Sequence, residues 1–226
     1  MGGWPGSGLA VQGNDKASGG FGVIVVIDYG MGNIGSVLNM LKKVGATAQP
    51  SSDPAVIKAA EKLILPGVGA FDNGMQNLQD KGLIDILNEK VLAQQTPILG
   101  ICLGVQLFSR RSEEGTLPGL GWVAADTIRF QFPQNGNNLK IPHMGWNYIE
   151  IRRDNALLTG FDDPPRFYFV HSYHVACDHA DDVLATSHYG LDFTAAVWRG
   201  NIMGTQFHPE KSHKFGLKVL ANFAGM

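Results

Sequence analysis

The chain has 226 residues, 44% hydrophobic and 17% charged, a balance that sustains a globular core and excludes a disordered chain. A formal charge of −2 argues against a nucleic-acid or membrane-surface binder, and no apolar run approaches the ~20 residues that cross a bilayer. Two distant cysteines, Cys102 and Cys177, with no CxxC pattern, exclude a disulfide framework and fit reduced thiols in a cytoplasmic protein.

In chain order, residues 1–20 are rich in Gly and Ser and lack the basic start and apolar run of a signal peptide. They read as a disordered leader, leaving 21–226 as the folded domain. Val23–Asp28 (VIVVID) predicts a buried strand, and Ile34, Val37, Leu38, Leu41 and Val44 then recur at helical spacing up to Gly45. Lys62–Leu65 predicts a second strand, closed by Pro66-Gly67-Val68-Gly69. Leu83, Leu87 and Val91 mark a helix, Pro97–Ile101 a strand, and Leu103–Arg111 the helix after it. This alternation predicts a parallel sheet covered on both faces. Short runs at Tyr148–Ile151, Phe167–Val170, Val183–Ser187, Thr194–Val197 and Ile202–Phe207 predict strands joined by turns, before a closing helix through Phe215, Val219, Leu220 and Phe223. The expected fold is therefore α/β: a mostly parallel central sheet flanked by helices, with an antiparallel elaboration in the second half.

Gly100-Ile101-Cys102-Leu103-Gly104 has the form G-x-C-x-G between a strand and a helix, the cysteine version of a nucleophile elbow. A sharp turn there pushes the thiol clear of the sheet, the glycines leave room for crowded backbone, and the next helix aims its N-terminus at the sulfur. Cys177 has no such setting and reads as a packing residue. Near the other end, His208 closes a predicted strand, and Glu210 follows it across Pro209. A carboxylate so placed holds one imidazole nitrogen and leaves the other to face a thiol. His171 and His174 are rivals for the base. Their spacing also suggests a metal, but on one strand they fall on opposite faces and so read as structural. The Leu103 N–H can donate to an oxyanion, and Pro66–Ala70 offers a second donor. Trp146 sits among glycine and polar residues, as an interface anchor or as a core residue.

These blocks together resemble the class I, triad-type glutamine amidotransferases, and among them the glutaminase subunit of imidazole glycerol phosphate synthase. The resemblance lies in Asp28–Asn33 (DYGMGN), Leu65–Gly74 (LPGVGAFDNG), Pro97–Leu107 (PILGICLGVQL), Pro142–Asn147 (PHMGWN), Tyr168–Tyr173 (YFVHSY) and Gly204–Ser212 (GTQFHPEKS), and it runs from residue 23 to 226. It implies that Cys102, His208 and Glu210 form the triad, that Val68 belongs to the oxyanion strand, and that Gly69, Gln106, Ser172 and Tyr173 surround glutamine. It further implies that Asn33, Trp146 and Lys211 lie near a cyclase partner, a (β/α)₈ barrel through which ammonia passes in histidine biosynthesis. The chemistry so implied needs no metal or organic cofactor. The leader before Val23 has no counterpart in the pattern, and Phe132–Leu139 is a variable loop.

Two rivals remain in the sequence. Gly30-x-Gly32-x-x-Gly35 follows a strand and opens a helix as a dinucleotide-binding fingerprint does, with Asp53 near the ribose-acid distance, although Ser-Ser-Asp-Pro suggests a turn before a helix. A paralogous amidotransferase serving another synthase, as in surface-polysaccharide sugar amidation, would share all the motifs.

Overall fold

The computed structural model describes residues 23–132 and 139–226. The expected leader at 1–20 and the core of the Phe132–Leu139 loop lie outside the described residues. The first half alternates as the hydrophobic pattern requires: β1 (Ile24–Ile27), α1 (Ile34–Lys43), β2 (Ala48–Ser51), α2 (Pro54–Ala59), β3 (Lys62–Gly67), α3 (Phe71–Asp80), α4 (Leu83–Asn88), β4 (Ile98–Cys102) and α5 (Leu103–Gln106). A π-helical turn at Glu89–Ala93 extends α4. The second half holds β5 (Ala125–Arg129), β6 (His143–Tyr148), β7 (Glu150–Ile151), β8 (Arg166–His171), β9 (Tyr173–Cys177), β10 (Val183–His188), β11 (Asp192–Arg199), β12 (Ile202–Thr205) and α6 (His213–Gly225).

Among the described residues these strands form an eight-stranded sheet in the order β2-β1-β3-β4-β12-β11-β10-β7, with β5-β9 and β6-β8 as two separate antiparallel pairs. The sheet is parallel from β2 to β12 and antiparallel beyond. Successive side chains of a strand point to opposite faces. Ile24 and Val26 therefore enter one core with Leu41, Leu99, Val219 and Phe223, while Val25 and Ile27 enter the other with Leu63, Leu78, Leu83 and Leu87. Strands buried on both faces explain the unbroken apolar runs.

Local chemistry sets the element ends. Asp53 caps α2, its carboxylate accepting from the Ala55 N–H at 2.8 Å, and Pro54 occupies the first helical position. The buried Lys90 ammonium donates to the carbonyls of Lys58 and Ala60 at the other end of the same helix. Three expectations are corrected. β3 runs two residues past Leu65, because Pro66 and Gly67 pair with Ile101 and Cys102 of β4. The helix expected over Leu103–Arg111 ends at Gln106: the Ser109 hydroxyl donates to the carbonyls of Gln106 and Arg111, which competes with the backbone ladder. Finally, His171 and His174 do not share a strand. The chain bends at Ser172 between β8 and β9, and both rings pack on Phe130 in one buried cluster.

The core reaches the end of β12 through aromatic stacking. Phe207, fully buried, lies 3.8 Å centroid to centroid from Phe167 of β8. Truncating Phe167 to Ala should cost about 3–5 kcal/mol of unfolding free energy, measurable by urea denaturation. A loss below about 1 kcal/mol would show that Phe207 does not depend on that stack.

Candidate active site

Cys102 closes β4 with φ 53° and ψ −107°, a backbone state that a side-chain-bearing residue adopts only under constraint. Crowding enforces the turn: a Cβ on Gly104 would lie 1.8 Å from the Leu65 carbonyl oxygen, so only glycine lets α5 press against β3 here. Because α5 is a single turn, its macrodipole is weaker than the sequence pattern suggested.

β12 lies directly beside β4 in parallel register, Gly204 opposite Gly100 and Thr205 opposite Ile101. The chain leaving β12 therefore emerges next to the elbow and carries His208 to it. The ring of His208 is sealed from solvent, and its Nδ1 lies 2.7 Å from Glu210 Oε1, itself 2% exposed. The ring's other nitrogen, Nε2, is buried with no hydrogen-bond partner among the described residues, and His208 lines the same cavity as Cys102. Burial by itself would lower the His208 pKa. The charge and hydrogen bond of Cys102, with Glu210 behind, outweigh it and push the group up to about 9.

The turn carrying these groups is fixed by backbone bonds: the His208 N–H donates to Tyr168 O at 2.9 Å, and the Ser212 hydroxyl donates to His208 O at 2.6 Å while accepting from the Tyr168 N–H at 3.0 Å. Gln206 also reaches the elbow, its Nε2 3.8 Å from Cys102 Sγ and its Oε1 accepting from Gln106 Nε2 at 3.0 Å. Neither Ser212 nor Gln206 was singled out in the sequence. Both stand within four residues of His208, and only their burial, 0% and 1% exposed, marks them.

A cavity of about 450 Å³ opens over the elbow, lined by Val68, Gly69, Cys102, Leu103, Gln106, Ser172, Tyr173, His208 and Lys211 among others. Every residue expected around glutamine thus faces one space. Glu114 lines it too, unanticipated, its carboxylate fixed by the Phe71 N–H at 2.8 Å. Of the rival histidines, His174 packs on Phe130, its Nδ1 without a hydrogen-bond partner among the described residues. His171 also lines the cavity, but its Nδ1 contacts Tyr173 O at 2.8 Å and its Nε2 contacts His143 Nδ1 at 3.1 Å. Burial lowers the pKa of His174 and pushes those of His171 and His143 down to about 3 and about 4, which keeps all three neutral. Cys177 is a packing thiol, pushed up to about 12 by burial.

The three residues expected at a partner surface are all exposed. Asn33 caps α1, accepting from the Ser36 N–H at 3.4 Å. Trp146, 43% exposed, stacks on His213 beside the exposed Met144 and Tyr148, which decides against a core role. The Lys211 ammonium lies 5.8 Å from the centroid of Tyr168.

A family profile for glutamine amidotransferase class-I matches residues 25–225. The chain belongs to that family. Among its relatives, imidazole glycerol phosphate synthase subunit HisH 2 from Pseudomonas aeruginosa is 54% identical over 201 residues, 89% of this chain and 98% of that protein. The subunit HisH 2 of Methanococcus maripaludis matches equally, at 54% over the same shares, and the subunit HisH of Leptospira interrogans at 44% over 90% and 100%. The amidotransferase fold recurs in a structure of PurLQS from Thermotoga maritima, with a TM-score of 0.68 at 18% identity over 90% of this chain and 98% of that one.

Membership in this family removes the dinucleotide reading, and the geometry agrees. Asp53 is spent on a helix cap, and a Cβ on Gly35 would meet open space, whereas the third glycine of that fingerprint exists for close helix–strand packing.

The opposite shifts of His208 and of His143 and His171 imply opposite pH limbs. Unfolded histidine titrates near about 6.5. The stabilisation from His208, raised to about 9, is complete below 6.5 and lost as pH climbs through 9. That from His143 and His171, lowered to about 4 and about 3, is complete above 6.5 and lost as pH falls toward those values. The urea midpoint should decline on both sides, with His208→Asn flattening the alkaline limb and His143→Phe the acid one. An alkaline limb unchanged in His208→Asn would contradict the assignment.

Proposed function

We propose that this chain is the glutaminase subunit of imidazole glycerol phosphate synthase, hydrolysing glutamine to glutamate and ammonia for a cyclase partner in histidine biosynthesis. One observation carries the reading: a solvent-sealed imidazole held by Glu210 on one nitrogen, its other nitrogen free of any partner among the described residues, lines the same cavity as the elbow thiol. Glutamine binds with its side-chain amide over Cys102. His208 already holds the proton taken from the Cys102 thiol when the sulfur attacks the carbonyl, and the oxyanion is met by the Leu103 N–H and the Val68–Gly69 turn. Collapse breaks the C–N bond, His208 gives its proton to the departing nitrogen, and ammonia leaves. Water, deprotonated by the same imidazole, then hydrolyses the thioester to glutamate and free thiol. Glu210 orients the ring throughout. Gln106 and Tyr173 line the space for the substrate chain with Gly69 and Ser172, and the Glu114 carboxylate suits its α-ammonium group.

Asn33, Trp146 and Lys211 are the contacts proposed for the cyclase, a (β/α)₈ barrel. Met144, Trp146 and Tyr148 form an exposed aromatic and apolar stripe, and Trp146 meets Tyr168 edge-on at 6.4 Å, next to Lys211 at the cavity wall. Ammonia leaving Cys102 on this side emerges beneath a covering partner rather than into water. No helix among the described residues is long and apolar enough to cross a membrane. With both cysteines free, we place the complex in the cytoplasm. A second reading, a paralogue feeding a different synthase, is favoured by the designation HisH 2 of two relatives. The barrel that co-purifies with the chain, assayed for its acceptor, decides between the two.

Cys102→Ala should abolish glutamine-dependent product formation, by at least about 10³-fold as for other lost nucleophiles, while synthesis from added ammonium salts persists. Glutamine hydrolysis retained in this variant would end the proposal. Glu114→Gln should raise KM for glutamine about tenfold or more with little change in kcat, since a lost charge-assisted hydrogen bond is worth about 1.5–3 kcal/mol. An unchanged KM in steady-state assays would remove Glu114 from the substrate site.

A further inference from the structure

Tyr29 is the second residue after β1, and its ring is fully buried in the core layer that also holds Leu65 and Leu103. Its hydroxyl is shut away from solvent and has no hydrogen-bond partner among the described residues. An unpaired buried hydroxyl costs about 1–3 kcal/mol, a cost that phenylalanine in the same space would avoid. The oxygen is aimed at one place. A Cβ on Gly67 would lie 2.6 Å from it and 2.7 Å from Leu103 Cβ, so the hydroxyl rests against the last residue of β3, beneath the elbow.

We propose that the Tyr29 hydroxyl is a positioning group for the oxyanion site, donating to the Gly67 carbonyl when the Gly67–Val68 peptide presents its N–H to the cavity. The inference rests on the hydrolytic reading of Cys102. The peptide unit is planar and trans, so its C=O and N–H point in opposite directions. A Gly67 carbonyl directed down at Tyr29 sends the Val68 N–H up toward the sulfur. The Cα–C bond is about 1.5 Å long, which brings a carbonyl turned to that side within hydrogen-bond reach. The chain has the freedom to make that turn: Val68 is 39% exposed and is flanked by two glycines, one of them, Gly69, at φ +114°. Burial, reinforced by the charge of Cys102, raises the phenol pKa, so the group remains a protonated donor. The hydroxyl thus lowers the energy of the donor-forward turn relative to any arrangement that leaves it unpaired.

The test is Tyr29→Phe in the full chain bound to its synthase partner, with L-glutamine as substrate. Glutamate release should fall about tenfold in kcat with KM within about twofold. Tm should be equal or higher, and the rate of Cys102 alkylation by iodoacetamide unchanged. A wild-type kcat overturns the proposal, as does a loss of kcat accompanied by lower Tm and altered alkylation, which would mark a merely structural side chain. Cys102→Ala measured alongside separates the two levels: if it stays active the hydrolytic reading fails, and if it is dead while Tyr29→Phe is normal only the role of Tyr29 fails.

Discussion

A histidine with no access to water can hold a proton only if its surroundings replace the solvent. His208 has that replacement in Glu210 at 2.7 Å and in the charge of the nearby Cys102. The parallel pairing of β4 with β12 sets the spacing between the elbow and the strand end. Phe207, stacked on Phe167, anchors the residue before the imidazole, and Ser212 ties its carbonyl. Removing Glu210 would leave the buried imidazole charge without its partner.

The parts of this arrangement that were legible in the sequence are those with local causes. A continuous β-branched run such as Val23–Asp28 admits little besides a buried strand, and Gly-x-Cys-x-Gly between strand and helix admits little besides an elbow. What stayed hidden depends on distant partners. β2 reads Ala-Gln-Pro-Ser, with no apolar alternation, and exists because an edge position beside β1 tolerates proline. α3 carries Gly74 and two asparagines, poor helix formers, and is held by Phe71, Met75 and Leu78 packing inward. β5 and β9 pair outside the main sheet, with one further bridge from Thr127 to Ser112, so neither shows that sheet's signature.

The site divides in the same way. Cys102, His208 and Glu210 could be singled out because short motifs carry them, and the structure brings Cys102 and His208 to one cavity with Glu210 behind the imidazole. Glu114 and Gln206 could not be singled out, because their place follows from long-range contacts: Glu114 with Phe71, Gln206 with Gln106 a hundred residues earlier. The two histidines of the VHSYH segment were misplaced for a related reason. A bend at Ser172 between strands of different pairs leaves no trace in spacing, yet it turns both rings into one aromatic cluster.

The insertion of β12 between β4 and β11 has a consequence for the order in which competence arises during synthesis. The thiol is made when fewer than half the residues exist, but the strand that brings its base fills an interior slot of the sheet and is translated about a hundred residues later. A ribosome-bound fragment therefore carries Cys102 without the histidine proposed to activate it.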